Sequence, residues 1–355
     1  MSTVVDTVRN NRRAGGIVAV IAVTAVLELL SGVPSQILRN LPGIITVGFV
    51  ERSIVRATPI TLTAVGALYA EKSGVFNIGV EGFMIFGAVG AAVASLVIGG
   101  EDPGQAQLWL ALGAAVLFTL TLGVPFAVLM IRYKADQIVT GLAIWFIALG
   151  FAPFLSELIW GSKGSDTLTN MESFAIPFLA DVPVLGRILF DASPMVFVTI
   201  VLTLLAWGVL YHTRYGYWVQ AAGENPEALD TAGVNVTRVR YASVLFSVAM
   251  AGLGGAALFS DFGSFNGTGQ TMVNGRGWIA IVAYLFGNYN PIGAAASALL
   301  FGGLDMLQVQ FQTVGIGVPS KLIGVIPFIG VIIVLTLYGS TRVPSSVGEP
   351  YESED

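Results

Sequence analysis

Residues 71–95 read EKSGVFNIGVEGFMIFGAVGAAVAS. From Val80 onward only Glu81 and Ser95 interrupt an apolar run that continues through Leu96–Val97–Ile98. The run approaches the roughly 20 residues that a helix needs to cross a bilayer. It lacks the two-residue alternation of a barrel strand. Lipid forces every backbone polar group to find an internal partner, which leaves helices or closed barrels, and continuous apolarity selects the helix. The head of the run is the anomaly. Asn77, Gly79, Glu81 and Gly82 stand where a plain membrane anchor has no use for an amide, a carboxylate or helix-weakening glycines.

The rest of the chain extends this pattern. Its 355 residues are 55% hydrophobic and 11% charged, against about 25% charged in soluble domains. Apolar stretches of spanning length recur at about 15–34, 54–70, 76–98, 108–131, 137–160, 194–212, 240–260, 277–288, 292–313 and 321–339. The eighth is short, and the second and third are candidates for one broken unit. The expected fold is therefore all-α: a polytopic transmembrane bundle of about ten spans, forming one domain over 1–355 in a cell membrane, with lipid as its solvent.

Loop charge sets the expected orientation. With the N-terminus inside, the inner side holds ten Lys and Arg: Arg9, Arg12, Arg13, Lys72, Arg132, Lys134, Arg214, Arg238, Arg240 and Arg342. The outer side holds seven: Arg39, Arg52, Arg56, Lys163, Arg187, Arg276 and Lys321. Both termini are thus expected in the cytoplasm, with an acidic tail over 340–355 and an extracytoplasmic loop at 161–193. The N-terminal run lacks a convincing cleavage site and reads as an uncleaved first span. There is no cysteine and one histidine, His212, so thiolate chemistry and histidine metal clusters are excluded. No catalytic or metal-ligating constellation appears, and no basic patch suggests nucleic acid.

The inner loop, 213–239, contains GENPEALDTAG. Asn225 suits an N-cap, Pro226 the first helical position, Glu227 the positive end of the helix, and Gly233 a C-terminal stop with positive φ. About seven helical residues result, roughly 10 Å at 1.5 Å each. So short a helix needs a packing partner, and Ala228, Leu229 and Ala232 offer a small apolar face. It is either a tidy surface turn or a docking element for a soluble partner.

Four blocks carry a resemblance. SGVFNIGVEGFMIFGA (73–88), DQIVTGLAIWFIALG (136–150), AAGENPEALDTAGVNVTRVRYASVLFSVAMAGLGGA (221–256) and GRGWIAIVAYLFGNYNPIGA (275–294) occur in the order found in permease subunits of ATP-binding-cassette importers of the branched-chain amino acid, sugar and nucleoside type. The first block is most similar to nucleoside and simple-sugar permeases. The resemblance implies a chain without enzymatic activity or cofactor that moves a nucleoside or simple sugar by alternating access. ATP would be bound by a separate ATPase subunit, since no GxxxxGK[ST] loop occurs here. It also implies a second related permease, as a heterodimer, and an extracytoplasmic substrate-binding lipoprotein. The coupling residues would be Glu224, Asn225, Pro226, Glu227, Ala228, Leu229 and Gly233. The sequence departs from the nucleoside pattern at Trp145, where asparagine is expected; an indole donates one hydrogen bond but cannot supply an amide's donor and acceptor together.

Candidates for the substrate pathway follow from polar residues in apolar spans. A charged residue at mid-membrane costs roughly 2.5–3.5 kcal/mol on insertion scales. Asn77 and Glu81, four apart, would share a helical face at a break lining a polar cavity; the competing role for Glu81 is snorkelling, pairing with a loop arginine or capping a helix end. Asp305 and Gln308, three apart, would bind hydroxyls or a base edge, or else form an interhelical hydrogen bond. Asp136 reads as a helix cap and Gln137 as a pathway candidate. Gly87, Ala91 and Ser95, and likewise Gly252, Gly254 and Gly255, read as close helix packing. A secondary transporter is the alternative from another class, with an ion site built from Glu81, Asp305 and His212.

Overall fold

A computed structural model describes residues 46–175 and 191–314, with 324–325, 329, 332, 343–349 and 351. In chain order the helices are α1 (Val47–Lys72), α2 (Val80–Gly99), α3 (Gln105–Ile131), α4 (Gln137–Trp160), α5 (Pro194–His212), α6 (Arg214–Glu224), α7 (Pro226–Thr231), α8 (Val236–Phe262), α9 (Arg276–Phe286) and α10 (Pro291–Val314). Strand pairing among the described residues is limited to β1 (Phe174–Ala175) against β2 (Asp191–Ala192) and one bridge between Gly164 and Asn266.

Six helices, α2, α3, α4, α5, α8 and α10, are long and apolar enough to cross a membrane. α1 has comparable length, 26 residues, but charges at both ends: Glu51, Arg52 and Arg56 early, Glu71 and Lys72 late. The expected spans at 15–34 and 321–339 lie outside the described residues apart from isolated positions. An all-helical membrane bundle therefore stands, while the total of ten spans does not rest on the described residues alone.

The core lies along α1, α2 and α8, most of whose residues are buried. α2 and α8 touch backbone to backbone: a Cβ at Gly87 would overlap the Gly252 carbonyl, and one at Gly255 the Met84 carbonyl. Such close approach is how helices gain contact where lipid offers no hydrophobic driving force between them. Conversely, Phe146, Ile147, Phe154 and Leu158 of α4 and Val201, Leu204 and Leu205 of α5 are exposed. In water such surfaces would be a liability; against hydrocarbon they are solvated.

The bundle has two ends. Near one, the carbonyl of Gly223 accepts from Ser346 N (2.8 Å), and Gln137 Oε1 accepts from Phe76 N (2.6 Å); this is the α7 end. At the far end Thr169 Oγ1 donates to Asp102 (2.7 Å), and Leu168 N donates to Gly263 O (2.7 Å). The described part of the 161–193 loop is thus folded back over the end of α8.

α9 explains the short eighth span. Its 11 residues reach about 16 Å at 1.5 Å each, about half of a 30 Å hydrocarbon core. After α8 ends, residues 263–275 turn back into the bundle. α9 then starts midway and runs to the α7 end, where Tyr289 Oη donates to Glu71 Oε1 (2.8 Å).

Three expectations change. Arg52, Arg56 and Arg276, counted with the outer loops, lie in α1 and at the start of α9, which leaves four cations in that tally. Asn77 and Glu81 do not share a helical face: Ser73–Gly79 is a non-helical link and α2 begins only at Val80. The 213–239 loop is mostly helix, comprising α6, α7 and the first turn of α8.

Candidate functional site

α7 is built as its local sequence dictates. Asn225 Oδ1 accepts from Ala228 N (3.0 Å), Pro226 holds the first position, and Glu227 sits in the first turn. Gly233, at φ +79°, ends the segment and donates to Asp230 O (2.8 Å). Six residues are helical, with Ala232 as C-cap. The anchoring face differs from the expected one. Leu229 alone of α7 is buried, in a cluster with Ala222 and Val236, whereas Ala228 and Ala232 are exposed. One leucine therefore pins a peg whose outer surface, Glu224, Asn225, Glu227, Ala228 and Gly233, is left accessible.

Residues 343–349 and 351, within the acidic tail expected over 340–355, fold over the α6–α7 elbow. Ser345 Oγ donates to Glu224 Oε2 (3.0 Å), Gly348 N to Gly74 O (3.2 Å) and Tyr351 Oη to Asp230 Oδ2 (2.7 Å). Arg240, 4% exposed, donates to the carbonyls of Ser73 (3.1 Å), Ala222 (3.4 Å) and Glu349 (3.1 Å). Its charge is solvated by backbone dipoles drawn from α1's end, α6 and the tail, which makes the elbow one mechanical unit.

Deeper in the bundle lies a polar centre. Glu81 is 1% exposed, and its two carboxylate oxygens accept from Gly275 N (2.8 Å) and Gly277 N (2.6 Å). Those are orphan donors at the start of α9, where an anion also meets the positive end of the helix. Both glycines are required: Gly275 has φ +83°, and a Cβ at Gly277 would press on Glu81. Glu81 thus caps the start of α9. One step away, Asp305 Oδ2 accepts from Arg56 Nη1 (2.8 Å) and Arg276 Nη2 (2.9 Å), joining α1, α9 and α10.

The other candidates separate. Asn77 Nδ2 donates to Ser247 Oγ (3.0 Å), and its carbonyl oxygen has no partner among the described residues. Gln137 Oε1 accepts from the Phe76 amide (2.6 Å). Asp136 caps α4 through Val139 N (2.8 Å). Trp145 packs edge-on against Trp278, the rings 5.5 Å apart. Gln308 is half-buried, and its expected companion Asp305 is paired with the two arginines. His212 packs against Trp207 with the rings tilted by 56°, 4.7 Å between centroids, at the end of α5.

The family described as branched-chain amino acid transport system / permease component matches residues 49–336. The chain is a member of this permease family. A guanosine ABC transporter permease of Bacillus subtilis is 36% identical over 307 residues, covering 85% of this chain and 95% of the relative. A nucleoside ABC transporter permease of Lactococcus lactis is 34% identical over 310 residues, 85% and 96%. A glucose ABC transporter permease of Haloferax volcanii is 27% identical over 294 residues, 80% and 75%. No solved structure matches. The permease is an integral membrane transport protein.

Sequence reasoning missed Arg56, Arg276 and Trp278 in this permease. The second had a partial signal: Gly275–Arg276–Gly277 heads an apolar segment too short to span, a pattern shared with a short span at a membrane edge. Arg56 carried none, because its partner is 249 residues away.

Proposed function

We propose that this permease is the membrane subunit of an ATP-driven importer of nucleosides, with simple sugars as the neighbouring class, and that α7 receives the stroke of a separate ATPase. One observation carries the reading: a capped two-turn helix pinned by a single leucine, its remaining surface open and its base tied through Arg240 to the end of α1. On this reading the α7 end is cytoplasmic and both termini lie there. A second, related permease completes the pathway, and an extracytoplasmic lipoprotein delivers the cargo. The nucleoside assignment is supported by the 36% and 34% identities to permeases whose names carry guanosine and nucleoside.

The ion-coupled alternative draws no support from the geometry. It needs Glu81, Asp305 and His212 at one ion. Glu81 instead caps α9, Asp305 is shared by two arginines, and His212 packs at a tilt on Trp207 at the end of α5. The test is reconstitution with ATPase, partner permease and lipoprotein in proteoliposomes. Guanosine uptake should require ATP and every subunit. Accumulation by this chain alone under a proton or sodium gradient would overturn the proposal.

A further inference from the structure

A cavity of about 380 Å³ opens at the far end of the bundle between α1, α8, α9 and α10. Its volume lies within the range of small-molecule sites, roughly 300–1,000 Å³. Glu51, Arg52 and Asp261 stand toward the mouth, at the end of α8 and the start of α1, and Arg56 and Arg276 lie deeper. Beneath the arginines are Asp305 and the start of α9, capped from below by Glu81. The cavity is therefore closed toward the α7 end and open away from it.

The charges decide what fits. Arg52, Arg56 and Arg276 face Glu51, Asp261 and the underlying Asp305, three against three, so neither an anion nor a cation gains net attraction. Fixed hydrogen-bonding groups nevertheless remain. Asp305 Oδ2 clamps both guanidinium groups. Among the described residues Arg56 gives its hydrogen bond to Asp305 alone, leaving most of an arginine's five N–H donors for a solute. Asp261 takes one hydrogen bond, from Ser193 Oγ (3.0 Å), and keeps acceptor capacity. Phe262, Met306 and Val309 supply apolar wall.

We propose that this cavity is the station at which the solute rests before passage. Its ligand is an uncharged molecule with donor and acceptor edges on one side and an apolar face on the other, as a nucleoside has. Arg56 donates to it and Asp261 accepts from it; Arg276, whose Nη1 is given to the Met272 (3.2 Å) and Val273 (3.1 Å) carbonyls, is held in the wall, and Asp305 is a positioning residue that holds the two arginines. The assignment rests on the permease reading above and deepens it.

The chain has no cysteine, so Val309→Cys gives it one thiol on the cavity wall. The assembled transporter carrying Val309→Cys is placed in proteoliposomes with ATP and labelled guanosine, then treated from the far side with a bulky methanethiosulfonate. Once mass spectrometry shows full modification, guanosine uptake should fall by about tenfold or more, and dithiothreitol should restore it in the same folded protein. Uptake persisting above half after full modification overturns the site while leaving the permease reading intact. ATP-independent uptake by the unmodified transporter overturns that reading and the site with it. Anionic sulfonatoethyl and cationic trimethylammonioethyl reagents, each corrected for intrinsic reactivity, should modify the thiol at rates within about threefold of each other. A bias of about tenfold or more, which a cleft of one sign produces, overturns the neutral-solute assignment.

Discussion

Glu81→Gln replaces one of the two oxygens that hold the start of α9 with an NH2 group. In the wild-type chain those oxygens accept from Gly275 N and Gly277 N at 2.8 and 2.6 Å in a site that is 1% exposed. Hydrogen bonds to a charged group contribute about 1.5–3 kcal/mol each. Glutamine keeps one, at neutral strength. It loses the other and points a donor at a buried donor, a penalty of about 1–3 kcal/mol. The loss of anionic complementarity to α9 adds a few tenths to about 1 kcal/mol. Since these contributions overlap, the net destabilisation should be about 2–4 kcal/mol, a large share of the 5–15 kcal/mol typical of folded proteins. At about 2 °C per kcal/mol for a larger chain, the melting temperature of the detergent-solubilised protein should fall by about 4–8 °C. Glu81→Asp, which keeps the charge, should fall less. A glutamine variant that melts within about 1 °C of wild type and still transports would refute the clamp.

Asp305→Asn should weaken the link between α1, α9 and α10 by about 1–3 kcal/mol. That is below the 3–5 kcal/mol of a fully buried pair, because these side chains are 12–25% exposed; a denaturant or thermal melt checks it. Gly255→Leu should abolish monodisperse protein in detergent. Its side chain would enter the space of the Met84 carbonyl, and forced overpacking costs at least about 1–3 kcal/mol; wild-type elution would contradict the α2–α8 contact. Truncation after Arg342 should leave the bundle folded while hydrogen exchange rises at Ala222–Thr231, because the tail's bonds to Gly223, Glu224 and Asp230 are removed. Unchanged exchange there would mean that the tail does not brace the elbow.

The span boundaries were legible wherever the signal is local and continuous. Residues 137–160 coincide with α4 and 194–212 with α5, because Asp136 and Pro194 mark helix starts next to unbroken apolar runs. α7 was legible for the same reason: Asn225, Pro226 and Gly233 act within eight residues of one another. The polar centre was not. Glu81 meets Gly275 and Gly277 across some 195 residues of chain, and hydropathy cannot say whether a buried carboxylate faces a solute, a helix end or a guanidinium. The packing of α7 was misjudged because spacing identifies a face but not the neighbour it meets; Val236 and Ala222 happen to meet Leu229. Arg276 was assigned to an outer loop because a half-length helix resembles a short span at a membrane edge until its partners are seen.

The central claim, that α7 passes work from an ATPase to the bundle, is tested most directly by placing the chain's single cysteine at Ala228. This position is exposed on the peg and lies outside the buried Leu229 cluster. The assembled transporter carrying Ala228→Cys should drive guanosine uptake with ATP and should crosslink to the ATPase subunit through that thiol. Modification by a bulky maleimide before assembly should abolish ATP-driven uptake while leaving the melting temperature of the isolated permease unchanged. Full modification at Ala228 with undiminished ATP-driven uptake would contradict the account.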